Sequence, residues 1–278
     1  MTGAAAGIVQ WARRYPLAPR YPRTVERLEL TAADGVRLAA VRLAGPAAAT
    51  VGASFVLVHG FTNSSRSPGI FRFANALAAY APVVVLDLRG HGRSGGTCAF
   101  GVDEPLDVDA AVRWLRESDP DVPIVTVGSS LGGSTVLLHA GTFGGVSGVV
   151  AVSPSGWSGA DDRPGSAAAQ RAVRTTVGRM GLRIGTGVRL PSTCPVVPDA
   201  RDVVAAIAPA FTLLVHDPAD RYFGPEHCET LERWARSPVD RWEVPGGGHG
   251  TDLLDAQLAQ RVVAHAAAHV GTEPPGSG

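Results

Sequence analysis

The chain has 278 residues, 45% hydrophobic and 18% charged, with 25 basic residues against 25 acids and no formal net charge. That is enough for one large α/β domain or two smaller ones with a full core, and it excludes a global basic field of the kind that gathers nucleic acid or an anionic membrane. Every basic residue is arginine. The absence of lysine excludes a P-loop, a pyridoxal-phosphate or aldolase Schiff base and a Ser–Lys dyad, each of which uses a lysine amine. Cys98, Cys194 and Cys228 lie far apart with no Cys-x-x-Cys pair, so neither a disulfide framework nor a zinc site is expected. The N-terminal apolar run is short and has no basic residues ahead of it. No stretch reaches the ~18 apolar residues of a membrane span. The expectation is a cytoplasmic protein with reduced thiols and no membrane span.

In chain order, residues 1–23 with Pro16, Pro19 and Pro22 read as an N-terminal arm. Val25–Leu30 and Val36–Leu43 flank Ala33-Asp34-Gly35, a hairpin signal. Short aliphatic runs follow at Phe55–His59, Val83–Leu88, Ile124–Gly128, Val149–Ser153, Phe211–His216 and Arg241–Val244. Helical stretches lie between most of them, near Pro68–Tyr80, Glu104–Arg116, Leu131–Ala140, Pro225–Arg236 and Asp252–His269. Pro68, Pro105 and Pro225 sit at helix starts, where a missing N–H is harmless. Continuous apolar strands alternating with helices predict a parallel sheet covered on both faces. Nearly sixty residues separate Ser153 from Phe211, too many for one connecting helix. They predict an inserted cap over 155–205 with a helix near Ala167–Met180. The core is then 24–154 with 206–271 as a single domain, and the Pro/Gly/Ser-rich residues 272–278 read as a disordered tail.

The sharpest chemical signal is Gly128-Ser-Ser130-Leu-Gly132, directly after a predicted strand and directly before a predicted helix. A strand that turns this sharply into a helix needs glycines to relieve crowding, and it projects the serine hydroxyl at the strand's carboxyl end. Leu131 opens the helix, which aims its N–H at the site as an oxyanion donor. Ser129 is out of register for this pattern. A nucleophilic serine needs a base, and the base an orienting acid. His249 lies in a glycine-rich loop after the last strand, and Asp220 falls four residues past Phe211–His216. The helical histidines His139, His265 and His269 read as packing or surface residues, and His59 as a turn former. The chain order is therefore Ser130, Asp220, His249, all just past strand carboxyl ends, where open parallel sheets place their sites.

With these residues in place the chain resembles the α/β-hydrolase family of serine hydrolases, in its esterase and aminopeptidase-like branch, over roughly residues 25–270. The resemblance rests on Leu57-Val-His-Gly-Phe61, Leu86-Asp-Leu-Arg-Gly-His-Gly-Arg-Ser94, Gly128–Gly132, Leu213–Asp220 and Gly246-Gly-Gly-His249. It implies an α/β-hydrolase fold: a mostly parallel eight-stranded sheet, helices on both faces and a small inserted cap. It implies Ser130 as nucleophile, His249 as general base, Asp220 as orienting acid, and the N–H groups of Phe61 and Leu131 as oxyanion hole. One departure is Val-His-Asp217 where the family usually reads Val-His-Gly, which makes Asp217 a rival acid.

Two motifs are decoys. Gly90-His-Gly92-Arg-Ser-Gly95 matches a dinucleotide fingerprint but does not open into a helix, and Gly128-x4-Gly133-Ser134 lacks the phosphate-loop lysine. Ser130 at the elbow contradicts the aspartate nucleophile of epoxide hydrolases and dehalogenases. Between Arg163 and Val197 the cap carries Arg163, Arg171, Arg174, Arg179, Arg183 and Arg189 and no acid. Such a run is most often a solvated helix face; its functional reading is attraction of an anionic substrate, such as an acyl thioester on a phosphopantetheine carrier, or of an acidic partner. Trp157, Met180 and Tyr222 are the candidate pocket residues. The expected function is a serine carboxylesterase acting on a small-molecule acyl ester through an acyl-enzyme, with no cofactor, metal or nucleic acid. The rivals are a thioesterase or acyltransferase on a carrier-bound acyl group, a peptidase, and a non-catalytic binding protein of the same fold. The sequence does not fix the oligomeric state.

Overall fold

The computed structural model describes residues 20–21, 25–46, 51–156 and 163–270. The predicted arm falls outside these apart from Arg20 and Tyr21, and the predicted C-terminal tail lies wholly outside them.

Among the described residues eight strands form one sheet, in the order β1-β2-β4-β3-β5-β6-β7-β8. They are β1 Glu26–Thr31, β2 Arg37–Leu43, β3 Ser54–Val58, β4 Val83–Leu86, β5 Ile124–Ser129, β6 Gly148–Val152, β7 Phe211–His216 and β8 Val239–Glu243. The β1–β2 hairpin turns at the predicted Asp34-Gly35, where Gly35 takes a left-handed φ of 85°. β2 pairs antiparallel with both neighbours, and β4, β3, β5, β6, β7 and β8 run parallel. Strands β3 to β6 are buried along their whole length. That is why they read as unbroken apolar runs rather than alternating ones.

Alternate residues of each central strand feed two cores. Val56 and Val58 face the layer of helices α2 (Glu104–Ser118), α3 (Leu131–Phe143) and α6 (Pro225–Trp234). Phe55 and Leu57 face α1 (Pro68–Ala78) and α7 (Ala256–Val270). The chain between β6 and β7 carries helices α4 (Pro164–Arg174) and α5 (Thr176–Thr186) and two 3-10 turns at Ala200–Asp202 and Val204–Ala206.

Three departures from expectation have a local cause. The single helix expected over Ala167–Met180 is two helices broken at Thr175, which adopts extended φ/ψ and accepts the Gly178 N–H on its hydroxyl at 3.1 Å. A β-branched hydroxyl residue that caps a new helix outcompetes continuation of the old one. The last helix starts at Ala256 rather than Asp252, because Asp255 takes the Leu258 N–H at 2.7 Å while Gly250–Asp252 forms a 3-10 turn. β8 begins two residues before the predicted run. It is a partly exposed edge strand, so its apolar signal is weak.

Candidate active site

The elbow follows β5 directly. Ser130 sits between the strand and α3 with φ 55° and ψ −118°, a strained conformation for a residue with a Cβ, costing on the order of 1–3 kcal/mol. Its N–H donates to the Val152 carbonyl at 2.8 Å and its carbonyl accepts the Ser134 N–H at 3.0 Å, so the strain is held from both sides. The flanking glycines are required by close approach. A Cβ on Gly128 would lie 2.1 Å from the Gly132 carbonyl oxygen, and one on Gly132 would lie 2.5 Å from the Val58 carbonyl oxygen. The motif is therefore a packing solution that seats α3 against β3 and β5.

The three residues singled out from sequence meet. His249 Nε2 lies 2.8 Å from Ser130 Oγ, and His249 Nδ1 lies 2.6 Å from Asp220 Oδ2. Asp220 is fully buried, and its other oxygen accepts the Tyr222 N–H at 2.7 Å and the Phe223 N–H at 3.4 Å. Burial favours the protonated acid, but the hydrogen bond and charge of His249 and the two N–H donors outweigh it and hold the carboxyl below its usual range. The Tyr222 and Phe223 rings flank the imidazole at 4.3 and 5.6 Å between centroids.

Asp217 has a different partner. Its carboxylate accepts the Gly248 N–H at 2.8 Å and the Ala219 N–H at 2.9 Å. Burial again opposes ionisation, and the backbone donors prevail and lower its pKa. Asp217 thus ties the acid turn to the histidine loop and leaves the imidazole to Asp220. Ser153, just past β6 and without a signal in the sequence, does similar work: its hydroxyl accepts the Gly250 N–H at 3.0 Å.

The Leu57–Phe61 segment passes beside the serine. A Cβ on Gly60 would sit 3.1 Å from Ser130 Cβ. The Gly60 carbonyl accepts the His59 Nδ1–H at 2.9 Å and the Asn63 N–H at 3.1 Å, which directs the Phe61 N–H of the same trans peptide to the opposite side. His59 Nε2 accepts the Leu88 N–H at 3.1 Å. The ring is therefore the neutral Nδ1–H tautomer, and burial pushes its pKa down to about 4. Among the described residues neither the Phe61 nor the Leu131 N–H has an acceptor. Phe61 packs against Phe100 at 5.4 Å and His91 at 6.0 Å.

The Gly90-x-Gly92 decoy is a tight loop built around Asp87. That carboxylate accepts the Ser65 and Arg93 N–H groups at 2.6 and 3.0 Å, and a Cβ on Gly92 would lie 2.2 Å from it. The next helix is α2, twelve residues further on, so no helix N-terminus opens there. Arg89 anchors the loop through Asp107 at 2.7 Å and Asp34 at 2.7 Å, with Arg89 and Asp107 both buried.

The predicted pocket residues fall differently. Tyr222 stands beside His249, Met180 is 57% exposed on α5, and Trp157 lies outside the described residues. Three of the six arginines between Arg163 and Val197 are half-buried and hydrogen-bonded, Arg179 within its own segment to the Val173 and Arg174 carbonyls, both at 3.3 Å. Arg163 donates to the Asp220 carbonyl, and Arg189 donates to the carbonyls of Ser94, Gly95 and Gly96. These contacts fasten the two ends of the α4–α5 segment to the loops around the site.

A family model for the alpha/beta hydrolase fold matches residues 53–181. The uncharacterized protein YfhR of Escherichia coli O157:H7 is 25% identical over 239 residues, covering 82% of this chain and 74% of that one. The esterase Pf2001 of Pyrococcus furiosus superposes with a TM-score of 0.71 at 18% identity, covering 92% of this chain and 96% of that one. XC6422 of Xanthomonas campestris, described as an α/β serine hydrolase without lid, superposes with a TM-score of 0.61 at 17% identity, covering 92% and 100%. The chain has the α/β-hydrolase fold, and the family model matches its residues 53–181.

Proposed function

We propose that the protein is a serine hydrolase that cleaves a carboxylic ester by an acyl-enzyme route. The observation that carries this reading is the continuous relay from Asp220 through His249 to Ser130, at 2.6 and 2.8 Å. Ser130 Oγ attacks the ester carbonyl as His249 Nε2 takes its proton, and the N–H groups of Phe61 and Leu131 receive the oxyanion; one such donor is typically worth about 3 kcal/mol of barrier. The carbonyl–alkoxy bond then breaks, and His249 passes the proton to the departing oxygen. Water, deprotonated by the same ring, opens the acyl-enzyme and regenerates the serine. Asp220 fixes the tautomer and steadies the imidazolium. The rings of Phe61, Phe100, Tyr222 and Phe223 around the relay suit an apolar acyl or aryl group.

We read residues 155–205 as the cap of this site, joined at both ends through Arg163 and Arg189. A carrier-bound thioester is the second reading. It is favoured by Arg171, Arg174 and Arg183, which are exposed on α4 and α5 with no acid between residues 163 and 197. Hydrolysis of p-nitrophenyl esters of graded chain length, with Ser130→Ala alongside, tests the first reading: turnover by the native chain and none by the variant is the expected result. Charge reversal of the three exposed arginines separates the two readings. It leaves small-ester turnover unchanged under both, and it slows turnover of a carrier-bound acyl group only under the second.

A further inference from the structure

We propose a second site, for a divalent transition-metal ion such as Zn²⁺, formed by Asp240 of β8 with His265 and His269 of α7. The two histidines are one helical turn apart, so their rings project from one face of α7, and the edge strand presents Asp240 to them. One ligand atom from each residue lies within 4.8 Å of the other two. Asp240 Oδ2 is 3.5 Å from His265 Nε2 and 3.8 Å from His269 Nε2. These separations are long for hydrogen bonds; the first is close to the ~3.4 Å expected between two ligand atoms that each sit ~2.1 Å from a tetrahedral ion, and the second is somewhat longer.

The surroundings prepare the rings as ligands. His269 Nδ1–H donates to the His265 carbonyl at 2.8 Å, which puts the proton on Nδ1 and turns the Nε2 lone pair toward Asp240. Metal-binding histidines use this outer hydrogen bond to set tautomer and orientation. His265 Nε2 is a buried atom with no hydrogen-bond partner, a polar atom that a ligand would satisfy. Phe211 packs against both rings at 5.2 and 5.0 Å, and Trp242 meets the His265 ring edge-on at 5.3 Å, so the pair is held in place by packing. Asp240 is 53% exposed, which leaves an entry path and room for water in the remaining coordination position. Two imidazoles and one carboxylate select Zn²⁺, Ni²⁺ or Cu²⁺ over Mg²⁺ and Ca²⁺, which prefer all-oxygen shells.

Asp240 lies near the start of β8, whereas Ser130, Asp220 and His249 follow the carboxyl ends of their strands. The site is thus at the opposite end of the strands from the relay, and its ion would pin the edge strand to the C-terminal helix without entering the chemistry. The test is titration of the chelator-stripped full chain with ZnCl₂, followed by calorimetry and thermal unfolding, for the native chain, Asp240→Asn and His269→Ala. One ion per chain with a raised Tm in the native protein, affinity at least tenfold weaker in both variants and unchanged ester turnover are expected. Co²⁺ loading adds visible bands of a tetrahedral site in the native chain alone. No stoichiometric binding, or binding equally tight in both variants, overturns the proposal. Circular dichroism of the metal-free variants separates loss of the site from loss of the fold.

Discussion

Asp217 accepts the N–H of Gly248 at 2.8 Å, on the residue next to His249. Three positions later Asp220 receives the imidazole itself at 2.6 Å. One turn after β7 therefore supplies two carboxylates with separate tasks: one sets the histidine loop, the other sets the ring. A rival acid in the sequence becomes a positioning residue in the fold, because its oxygens are already occupied by backbone donors.

That division predicts unequal losses. In Asp220→Asn the amide oxygen stays with the Tyr222 and Phe223 N–H groups, so the NH2 faces Nδ1, selects the wrong His249 tautomer and lowers kcat on a p-nitrophenyl ester by ~10⁴-fold. Asp217→Asn keeps one acceptor oxygen for the Gly248 or the Ala219 N–H, leaves Asp220 on the imidazole and lowers kcat by no more than ~10-fold. Equal and severe losses from both would contradict the assignment.

The elbow glycines act through close contact, so Gly128→Ala, whose Cβ would meet the Gly132 carbonyl at 2.1 Å, destabilises by at least ~2 kcal/mol. Urea unfolding measures it. A variant with native stability would show that α3 can shift from β5 without cost.

Arg89 is buried between Asp107 and Asp34. Asp107→Ala removes the buried partner of this guanidinium and costs ~3–5 kcal/mol, whereas replacing both residues by apolar ones recovers much of the loss. Denaturation of the single and double variants checks this; a double variant as unstable as the single one would rule out the unpaired charge as the cause.

Acid should unfold the protein through its buried histidines. Burial lowers the pKa of His59 to about 4, of His91 to about 3 and of His139 to about 4, from an ordinary 6.5. The unfolded chain binds these protons below pH 6.5 and the folded chain does not, so the associated stability is complete above that pH and drains away as pH falls toward 4. His139 has neither ring nitrogen hydrogen-bonded, with Asp109 Oδ1 3.9 Å away. His139→Leu therefore raises stability by ~1 kcal/mol and flattens the acid limb. Unfolding midpoints from pH 7.5 to 4.5 test both statements, and parallel curves for the native chain and the variant would refute the second.

Much of this fold was legible because its central strands are buried on both faces and read as continuous apolar runs. The hairpin was marked by Asp34-Gly35, and the elbow by glycines that only a strand–turn–helix junction needs. The misplaced start of α7 has a local cause, since Asp252 and Asp255 both resemble a helix cap and the hydrogen bond chooses the second. Ser153 and Asp217 were not legible as positioning groups. Each works through a backbone N–H, Gly250 lying 97 residues from Ser153 and Gly248 lying 31 from Asp217, and a backbone partner leaves no trace in composition. The cluster at Asp240 was hidden for a related reason: His265 and His269 share a helix face, but the third ligand arrives from a strand whose register only the sheet defines.

The most direct measurement is intact mass after exposure to a small fluorophosphonate, with Ser130→Ala treated in parallel. The relay predicts one adduct per native chain and none on the variant. A folded native chain that takes no adduct, or a variant that is still labelled, would contradict the assignment of Ser130 as an activated nucleophile.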